Sequence, residues 1–286
     1  MAKKTFKHRF FTRFKNSKFL ADLFYLTGSE IKPEKWVFIV GCYNSGTTLL
    51  TEILSKSNEL DVLPDEGVML TDVLPRPEDF GWRRMWYKCE SEMKISNAEI
   101  NSVLKRMKRH WSHFTNNKKK IIVEKSISNS ARMEFFSKNL DNVYFIHLIR
   151  DGYAVTEGIQ RKAKPMEEVK NEFGSNYDIS LAVNQWKRSL EVINNAKSNI
   201  SNLIEVKYED LTSSPKTQID RITSFLGISP IKEENLSGAF EVHGNKKKIS
   251  NQNEKSYSRL SESDWQLINK LAEKELIQYG YFKLTK

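Results

Sequence analysis

The sequence predicts an α/β protein whose central parallel sheet is covered by helices on both faces. Residues 36–41 and 143–148 are runs of mostly apolar and β-branched residues, and a polar turn and a helical pattern follow each run. Strand patterns alternate with helical patterns along the chain, as parallel crossover connections require. Because no repeat or Pro/Gly-rich linker interrupts this order, we expect one domain over residues 35–286 after a basic N-terminal extension, residues 1–34.

The same periodicities place the elements in order. Ser261 and Asp264 form an approximate capping box at the start of the last helix. An irregular insert at 70–95, a loop at 163–176 and a polar stretch at 244–258 lie between elements. The predicted strands are 36–41, 61–63, 120–124, 143–148 and 203–207. The predicted helices are 47–57, 97–114, 130–139, 152–162, 178–197, 216–226, 232–240 and 261–278.

The loop that follows the strand 36–41 suits a phosphate group. A helix N-terminus offers unpaired backbone N–H groups and the positive end of the helix dipole. Gly46 lets the backbone approach a phosphate closely, and the hydroxyls of Ser45, Thr47 and Thr48 add donors. No Lys follows Gly46, so the clamp and the metal ligands of an ATP- or GTP-binding loop are incomplete. The sequence therefore predicts a phosphate site and disfavours a kinase.

A second anion-binding candidate is Arg150, at the end of the strand 143–148. A guanidinium binds phosphate oxygens bidentately and keeps its charge. The alternative is a structural turn in which Arg150 pairs with its neighbour Asp151. The chemistry of this residue type favours a phosphate, but the position alone does not decide between the two interpretations.

Three segments together resemble the sulfotransferases that use 3′-phosphoadenosine 5′-phosphosulfate (PAPS) as sulfate donor. Residues 45–50 are similar to the family's 5′-phosphosulfate loop, and the strand before Arg150 is similar to the one whose Arg binds the 3′-phosphate. Residues 208–211, Tyr-Glu-Asp-Leu, and a later Phe-Leu-Gly are similar to the segment whose Tyr lies near the adenine. The matches run in order over about residues 35–282. The resemblance implies a P-loop-like three-layer fold, PAPS as co-substrate, and transfer of a sulfuryl group to a hydroxyl or amine.

The resemblance also implies which residues hold the donor. The loop would bind the 5′-phosphosulfate, Arg150 and the position of Gly158 would lie at the 3′-phosphate, and a basic segment at 245–259 would cover the nucleotide. The implied donor-binding residues are Tyr43, Asn44, Ser45, Gly46, Thr47, Thr48, Leu49, Arg150, Gly158, Tyr208, Lys246 and Lys247.

Two of these positions depart from the family pattern. The residue before the loop's Ser is usually Arg or Lys and is here Asn44, and a Ser that shares the 3′-phosphate is here Gly158. Loss of a charged contact to the reacting group costs about 1.5–3 kcal/mol, or about ten- to a hundredfold. Lys125, Arg161 or the run 246–248 could compensate. The alternative function is a catalytically altered protein of the same fold that binds 3′,5′-ADP without turnover.

Sulfuryl transfer needs a base for the acceptor proton and a cation for the charge on the moving group. Glu66 is the candidate base by resemblance to carbohydrate- and tyrosine-directed members, and its neighbour Asp65 is the alternative. The cytosolic branch uses a His after its third main strand, whereas residues 121–129 contain Lys125 and no His. The chain is therefore more similar to the carbohydrate/Golgi-type and bacterial branches. That similarity implies Lys125 as transition-state stabiliser and a glycan or glycolipid as acceptor.

Acceptor specificity is expected in the insert 70–95 and the loop 163–176. Their aromatic side chains could stack on sugar rings, although core packing explains most such residues. The aromatic candidates are Trp82, Trp86, Tyr87 and Phe173.

Composition adds expectations about partners. The formal net charge of +10 suits an anionic donor, and since charge is the only feature that favours nucleic acid, we do not expect that partner. Cys42, Cys89 and five scattered histidines form no disulfide framework or metal-ligand pattern, which predicts a metal-independent cytoplasmic protein. Basic and aromatic residues alternate over residues 3–20, as in a helix that rests on an anionic membrane. The alternative is a helix that is solvated or docks onto the core.

Overall fold

Five parallel strands form the central sheet of the computed structural model, which describes residues 6–14, 17–116, 119–242 and 245–283. Each predicted strand is present, with ends that shift by no more than one residue. The strands, in the spatial order β2-β3-β1-β4-β5, are β1 (Lys35–Gly41), β2 (Leu60–Val62), β3 (Ile121–Glu124), β4 (Val143–Ile149) and β5 (Leu203–Lys207).

The strand β1 lies at the centre because the chain crosses first to one side of it and then to the other. In register, Phe38 of β1 lies opposite Glu124 of β3, and Gly41 lies opposite Leu148 of β4. A reversal of strand order of this kind opens a crevice at the carboxyl ends of the strands, where ligands bind in open α/β sheets.

Helices cover both faces of this sheet. The longer helices match the predicted periodicity, and Ser261 and Asp264 exchange the two hydrogen bonds of the predicted capping box. The helices are α1 (Phe6–Phe14), α2 (Lys18–Thr27), α3 (Thr47–Leu54), α4 (Ile100–Trp111), α5 (Met133–Asn139), α6 (Gly152–Lys162), α7 (Glu167–Phe173), α8 (Ile179–Lys197), α9 (Tyr208–Ser213), α10 (Pro215–Leu226), α11 (Asn253–Tyr257) and α12 (Glu262–Tyr279).

The alternation of side chains along β1 assigns the helices to the two faces. Val37 and Ile39 are fully buried against α3 and α10. Trp36 and Phe38 point to the opposite face and pack with residues of α4, α5 and α8. Because both faces are covered, the strands are continuously apolar, and the predicted three-layer α/β class is confirmed.

The helix predicted at 232–240 is wrong. Residues 233–235 form a single 3₁₀ turn, and a two-stranded antiparallel hairpin follows, β6 (Phe240–Val242) and β7 (Asn245–Lys247). Phe240 is buried in the core on the α3 face while Glu241 is exposed, and this alternation is the period of a strand. Burial of one aromatic side chain therefore decides the local structure.

Three further helices lie where none was expected, and one of them is α11, in the predicted polar stretch 244–258. The predicted loop 163–176 contains α7, which begins with Glu167 and Glu168 next to the positive end of the helix dipole. The helix α9 starts directly after β5, and Pro215 begins the separate helix α10. All three unpredicted helices are short and lack a long apolar period.

The N-terminal segment forms two helices that dock onto the core. The imidazole Nε2 of His110 in α4 lies 2.9 Å from the carbonyl oxygen of Ala21 in α2, and the Arg109 side chain donates 2.6 Å to the carbonyl of Tyr25. Phe11 of α1 is 1 % exposed. Within the described residues, none of the helices has the length and apolar character needed to cross a membrane.

Candidate active site

A cavity of about 530 Å³ lies at the carboxyl ends of β1, β3, β4 and β5. Segments that are far apart in sequence meet there, as expected for an open parallel sheet. The sequence-predicted site residues that line the cavity are Tyr43, Asn44, Gly46, Thr47, Thr48, Leu49, Glu66, Lys125, Arg150, Gly158 and Tyr208.

Two predicted donor residues, Ser45 and Lys246, do not line the cavity. Ser45 is 1 % exposed and lies under the loop. Lys246 is exposed on β7, and the side chain of Lys247 lies outside the described part of the chain. Their neighbour Lys248 lines the cavity instead, so the basic character of this segment reaches the cavity one residue later than Lys247.

The loop between β1 and α3 is shaped for a close approach of ligand to backbone. Gly46 has φ 94°, and a Cβ added there would lie 2.5 Å from Cδ2 of the Tyr208 ring. Gly46 has no side chain that could cap α3, so the N–H groups in the first turn of this helix stay available to an anion. The predicted phosphate cradle therefore has the required shape.

Arg150 is almost fully buried and points into this cavity. Its Nε donates 2.8 Å to Oδ1 of Asn253, and its Nη1 donates 2.7 Å to the carbonyl oxygen of Asn44. Its Cζ lies 4.2 Å from the centroid of the Tyr208 ring. The structure shows no ion pair between Arg150 and a carboxylate of the described residues. Asp151 caps α6 through Ala154 instead, which argues against the turn-pair interpretation.

A hydrogen-bond chain that sequence reasoning did not identify holds Arg150 in place. Asn253 of α11, which accepts from Arg150, donates 2.7 Å to Oε1 of Glu209. The hydroxyl of Tyr281 donates 2.8 Å to the other oxygen of Glu209, and burial together with this carboxylate raises the pKa of Tyr281. The chain orients the guanidinium without neutralising it directly. Glu209 stood in the matched Tyr-Glu-Asp-Leu segment, but nothing in the sequence indicated Asn253.

Glu66 and Lys125 form an ion pair at the opposite side of the cavity. Nζ of Lys125 lies 2.9 Å from Oε1 of Glu66, and both side chains are partly buried. The neighbouring Asp65 carboxylate lies 3.1 Å from the imidazole of His8 and does not line the cavity. Of the two acidic candidates, Glu66 is the one that reaches the cavity.

Glu124 supports the turn on which Glu66 lies. It accepts hydrogen bonds from the backbone N–H of Gly67 at 2.8 Å, from the side chain of Asn129 at 2.9 Å, and from the hydroxyl of Ser126. Burial raises the pKa of this carboxyl group. This buried carboxyl group therefore fixes the position of the residue that follows Glu66.

Asn44 and Gly158, the two residues that depart from the family pattern, are in contact with each other. A Cβ added to Gly158 would lie 3.0 Å from Cγ of Asn44. Oδ1 of Asn44 accepts a 2.9 Å hydrogen bond from Nζ of Lys162 and a 3.4 Å bond from Nη1 of Arg84. The signal for Lys162 was available in the sequence, because it follows Gly158 by four residues on one helix face. Arg84 lies in the irregular insert and had no signal.

The segment 248–259 covers the adenine-side candidate Tyr208. The Tyr208 hydroxyl donates 3.1 Å to the carbonyl oxygen of Ser250 and accepts from the backbone N–H of Gln252. Lys255 and Arg259 of the same segment line the cavity. The position of this segment agrees with the predicted cover, although its contacts come from a different set of residues than Lys246 and Lys247.

The aromatic residues proposed to stack on sugar rings lie outside the cavity wall. Trp86 is 0 % exposed and is a core residue, so the prediction is wrong for this side chain. Trp82 packs 5.7 Å from Phe173 and 6.2 Å from Tyr177 between ring centroids. Core packing, the alternative stated for these residues, describes these contacts.

Neither the cysteines nor the acidic and histidine side chains form a metal centre in the part of the chain that the structure describes. Burial raises the pKa of both Cys42 and Cys89 to about 12, which keeps their thiols protonated. Packing is therefore the role that the structure supports for Cys42 beside the loop.

The parallel sheet, the phosphate loop and the cationic cavity define a nucleotide-dependent transferase of the P-loop-like class. A model of the sulfotransferase family matches residues 37–233, so the chain belongs to the sulfotransferase family. This membership confirms the resemblance and the PAPS-dependent enzyme class that it implies. No curated protein matches the chain.

Solved structures show the same fold at low identity. The sulfotransferase domain of the Synechococcus PCC 7002 olefin synthase is 20% identical, with 86% of this chain and 98% of that chain covered and a TM-score of 0.51. The sulfotransferase domain from the curacin biosynthetic pathway is 18% identical, with 87% and 98% covered and a TM-score of 0.53. A Mycobacterium tuberculosis H37Rv sulfotransferase is 14% identical, with 94% and 84% covered and a TM-score of 0.53.

Proposed function

We propose that this sulfotransferase moves a sulfuryl group from PAPS to a hydroxyl or amine of a glycan or glycolipid. The observation that carries the proposal is the position of Arg150, a buried cation with no carboxylate partner among the described residues, next to an uncapped helix N-terminus. Both features bind phosphate groups, and PAPS carries two such groups at separate positions.

The cavity residues fit the donor in charge and in shape. The loop 43–49 would hold the 5′-phosphosulfate, Arg150 the 3′-phosphate, and Tyr208 the adenine. Cations outnumber carboxylates on the cavity wall by eight to two. The eight are Arg84, Lys125, Arg150, Arg161, Lys162, Lys248, Lys255 and Arg259, and the two are Glu66 and Glu78.

In the proposed reaction the acceptor oxygen attacks the sulfur atom of PAPS. A bond forms between these two atoms, and the bond between the sulfur and the 5′-phosphate oxygen breaks. Glu66 takes the acceptor proton, Lys125 neutralises charge on the moving group, and 3′,5′-ADP leaves with the bonding electrons. The 2.9 Å ion pair between Glu66 and Lys125 supports these paired roles.

A glycan or glycolipid acceptor is supported by the number of cations that the donor does not need. Lys255 of α11, Arg259 just after this helix and Arg161 of α6 line the cavity, where they would attract an acidic acceptor. The similarity to the carbohydrate/Golgi-type branch supports the same acceptor class.

We also propose that α2 brings the protein to an anionic membrane surface of the kind found at the cytoplasmic leaflet. Phe19, Leu23 and Leu26 are 76 %, 45 % and 68 % exposed, and their spacing places them on one face of α2. Exposed Arg9 and Lys18 lie in the same N-terminal segment and have the charge that anionic lipids attract.

Vesicle sedimentation tests the membrane contact. We expect binding to phosphatidylserine vesicles, a weaker response with neutral phosphatidylcholine, and loss of binding in Phe19→Ser/Leu26→Ser. Ile277→Ser is the matched control, since Ile277 is 58 % exposed on a different helix. Equal binding of the double variant and the control would contradict the contact through α2.

Thermal unfolding with 3′,5′-ADP, 5′-ADP, ATP–Mg²⁺ and no ligand tests the donor site. Ligand at about a hundredfold excess over Kd adds about 2.7 kcal/mol to the free energy of unfolding. We expect stabilisation by 3′,5′-ADP that is lost in Arg150→Ala and kept in the surface control Arg221→Ala. Stabilisation by ATP–Mg²⁺ alone would indicate a kinase. Stabilisation by 3′,5′-ADP without sulfate transfer to any acceptor would indicate the non-catalytic alternative.

A further inference from the structure

Two cations near Asn44 lack a carboxylate partner in the described residues. Lys162 of α6 and Arg84 of the insert both donate to the same neutral atom, Oδ1 of Asn44. By contrast, Lys125 pairs with Glu66, and Arg161 pairs with Glu157 at 2.6 Å. An amide oxygen orients the two cations without cancelling their charge, which leaves a site for an anion.

The positive charges around Lys162 favour the binding of an anion beside it. Burial, followed by the charges of Arg84, Arg161 and Arg150, lowers the pKa of Lys162 to about 8, and Glu157 acts in the opposite direction. In the covering segment 248–259, Lys255 and Arg259 add positive charge to the same cavity. Positive groups thus surround Lys162 from the insert, from its own helix, from the end of β4 and from the covering segment.

Gly158 and Asn44 form one structural unit that presents these cations. Asn44 has φ 63°, a left-handed conformation that Asn tolerates better than a long side chain. Because Gly158 has no side chain, the amide of Asn44 packs directly against α6 and reaches Lys162 in the next turn. Both departures from the family pattern therefore serve the same contact.

Arg84 extends this site toward the proposed base. Its Cζ lies 5.8 Å from the centroid of the Tyr43 ring. Burial and the carboxylates of Glu78 and Glu66 raise the pKa of Tyr43, and the charge of Arg84 acts in the opposite direction. Arg150, the proposed ligand of the 3′-phosphate, lies over the Tyr208 ring and donates to the backbone carbonyl of Asn44.

We propose that Arg84 and Lys162, oriented by Asn44, bind the sulfuryl oxygens of PAPS and supply the charge that the family places at position 44. This inference rests on the proposed function, because it requires PAPS in the cavity. The cation pair comes from an insert and from a helix instead of from the loop itself. In this proposal the pair contacts the group that is transferred and not the nucleotide that remains.

Calorimetric titration with PAPS and with 3′,5′-ADP separates these two parts of the donor. In Lys162→Met and Arg84→Gln we expect the affinity for PAPS to fall about ten- to a hundredfold, while the affinity for 3′,5′-ADP stays unchanged. Lys105→Met, on the exposed side of α4, is the control and should bind both ligands as the wild type does. An equal loss of both ligands would overturn the inference, because the pair would then contact a phosphate. Unchanged affinity for both would overturn it as well.

The pH dependence gives a second readout that does not depend on turnover. The affinity of the wild type for PAPS should fall as the pH rises through about 8, where Lys162 loses its proton. Lys162→Arg keeps its charge and should remove this dependence. An unaltered pH profile in Lys162→Arg would contradict the assignment of the titration to Lys162.

These experiments distinguish a failure of the proposed donor site from a failure of the proposed role of Arg84 and Lys162. A wild type that binds 3′,5′-ADP through Arg150 keeps its donor site whatever the variants of Arg84 and Lys162 show. A wild type that binds neither nucleotide overturns both proposals.

Discussion

The two ends of the proposed donor site surround their cationic side chains with different hydrogen-bond partners. At the 3′-phosphate end (Arg150, Asn253 and Glu209), neutral and anionic groups form a continuous chain of hydrogen bonds behind the cation. At the sulfuryl end (Glu66, Lys125, Arg84 and Lys162), one cation has a carboxylate partner and two share an amide oxygen. In the proposed reaction the first end holds a group that never changes, and the second has cations without a carboxylate partner for the group that reacts.

This difference has a physical reason. A phosphate that stays bound through the reaction gains most from a fixed guanidinium, since positioning costs no reorganisation. A sulfuryl group that is transferred needs cations that can follow it, and the ammonium groups of Lys125 and Lys162 on their flexible stems rotate more freely than a guanidinium. Variants at each end test this difference.

Glu66→Gln should abolish most of the transfer and leave the donor site intact. Glutamine keeps an oxygen that accepts from Lys125 but cannot take the acceptor proton, so kcat should fall about 10²- to 10⁴-fold. The affinity for 3′,5′-ADP should not change. Asp65→Asn is the matched control, because its carboxylate lies against His8 and not on the cavity wall. A larger loss in Asp65→Asn than in Glu66→Gln would assign the base to the neighbour.

Gly46→Ala should disturb the loop that both ends share. The added Cβ would lie 2.5 Å from the Tyr208 ring at φ 94°, and this should lower the free energy of unfolding by about 2–4 kcal/mol and weaken binding of both nucleotides. Gly280→Ala isolates the cost of the backbone conformation, since Gly280 is also left-handed (φ 75°, ψ 30°) and no atom lies within 4 Å of the added Cβ. Equal losses of stability in the two variants would show that the close approach to Tyr208 is unimportant.

A positive charge placed at position 44 of the loop should restore part of the PAPS affinity that Lys162→Met loses. In the Lys162→Met background, the second change Asn44→Lys should raise the affinity for PAPS about tenfold, as measured by calorimetry. Asn44→Lys alone should not help, because it adds a third cation beside Lys162 and Arg84. Asn44→Gln in the Lys162→Met background tests whether a longer polar side chain suffices. Rescue by Gln equal to that by Lys would argue against a role of charge.

Asn253→Ala should weaken the 3′-phosphate end without touching the reaction. Arg150 would lose the partner of its Nε, and we expect the Kd for 3′,5′-ADP to rise up to about tenfold. The kcat at saturating PAPS should stay unchanged, which separates positioning of Arg150 from a role in the transfer step. Ser258→Ala, at the exposed end of α11, provides the control. A fall in kcat with unchanged Kd would contradict the role assigned to this chain.

Much of the site could be predicted because it follows directly from strand ends. The loop around Gly46, Arg150, Lys125 and Tyr208 each lie next to a strand whose apolar run is visible in the sequence. Parallel strands bring their carboxyl ends to one edge, so these residues had to converge once the sheet formed. The family resemblance supplied their expected roles, and the cavity brings the residues together.

The parallel sheet, the helices that cover it and the loop between β1 and α3 follow from the sequence alone, because strand and helix periods are local properties of the chain. The electrostatics of the cavity depends on the tertiary structure. Asn253 lies 103 residues from Arg150, and Lys162 lies 118 residues from Asn44. Such pairs have no period and no spacing signal, since the whole fold sets the distance between them. The hairpin of β6 and β7 follows the same rule, because burial of Phe240 against the α3 face overrides the local pattern.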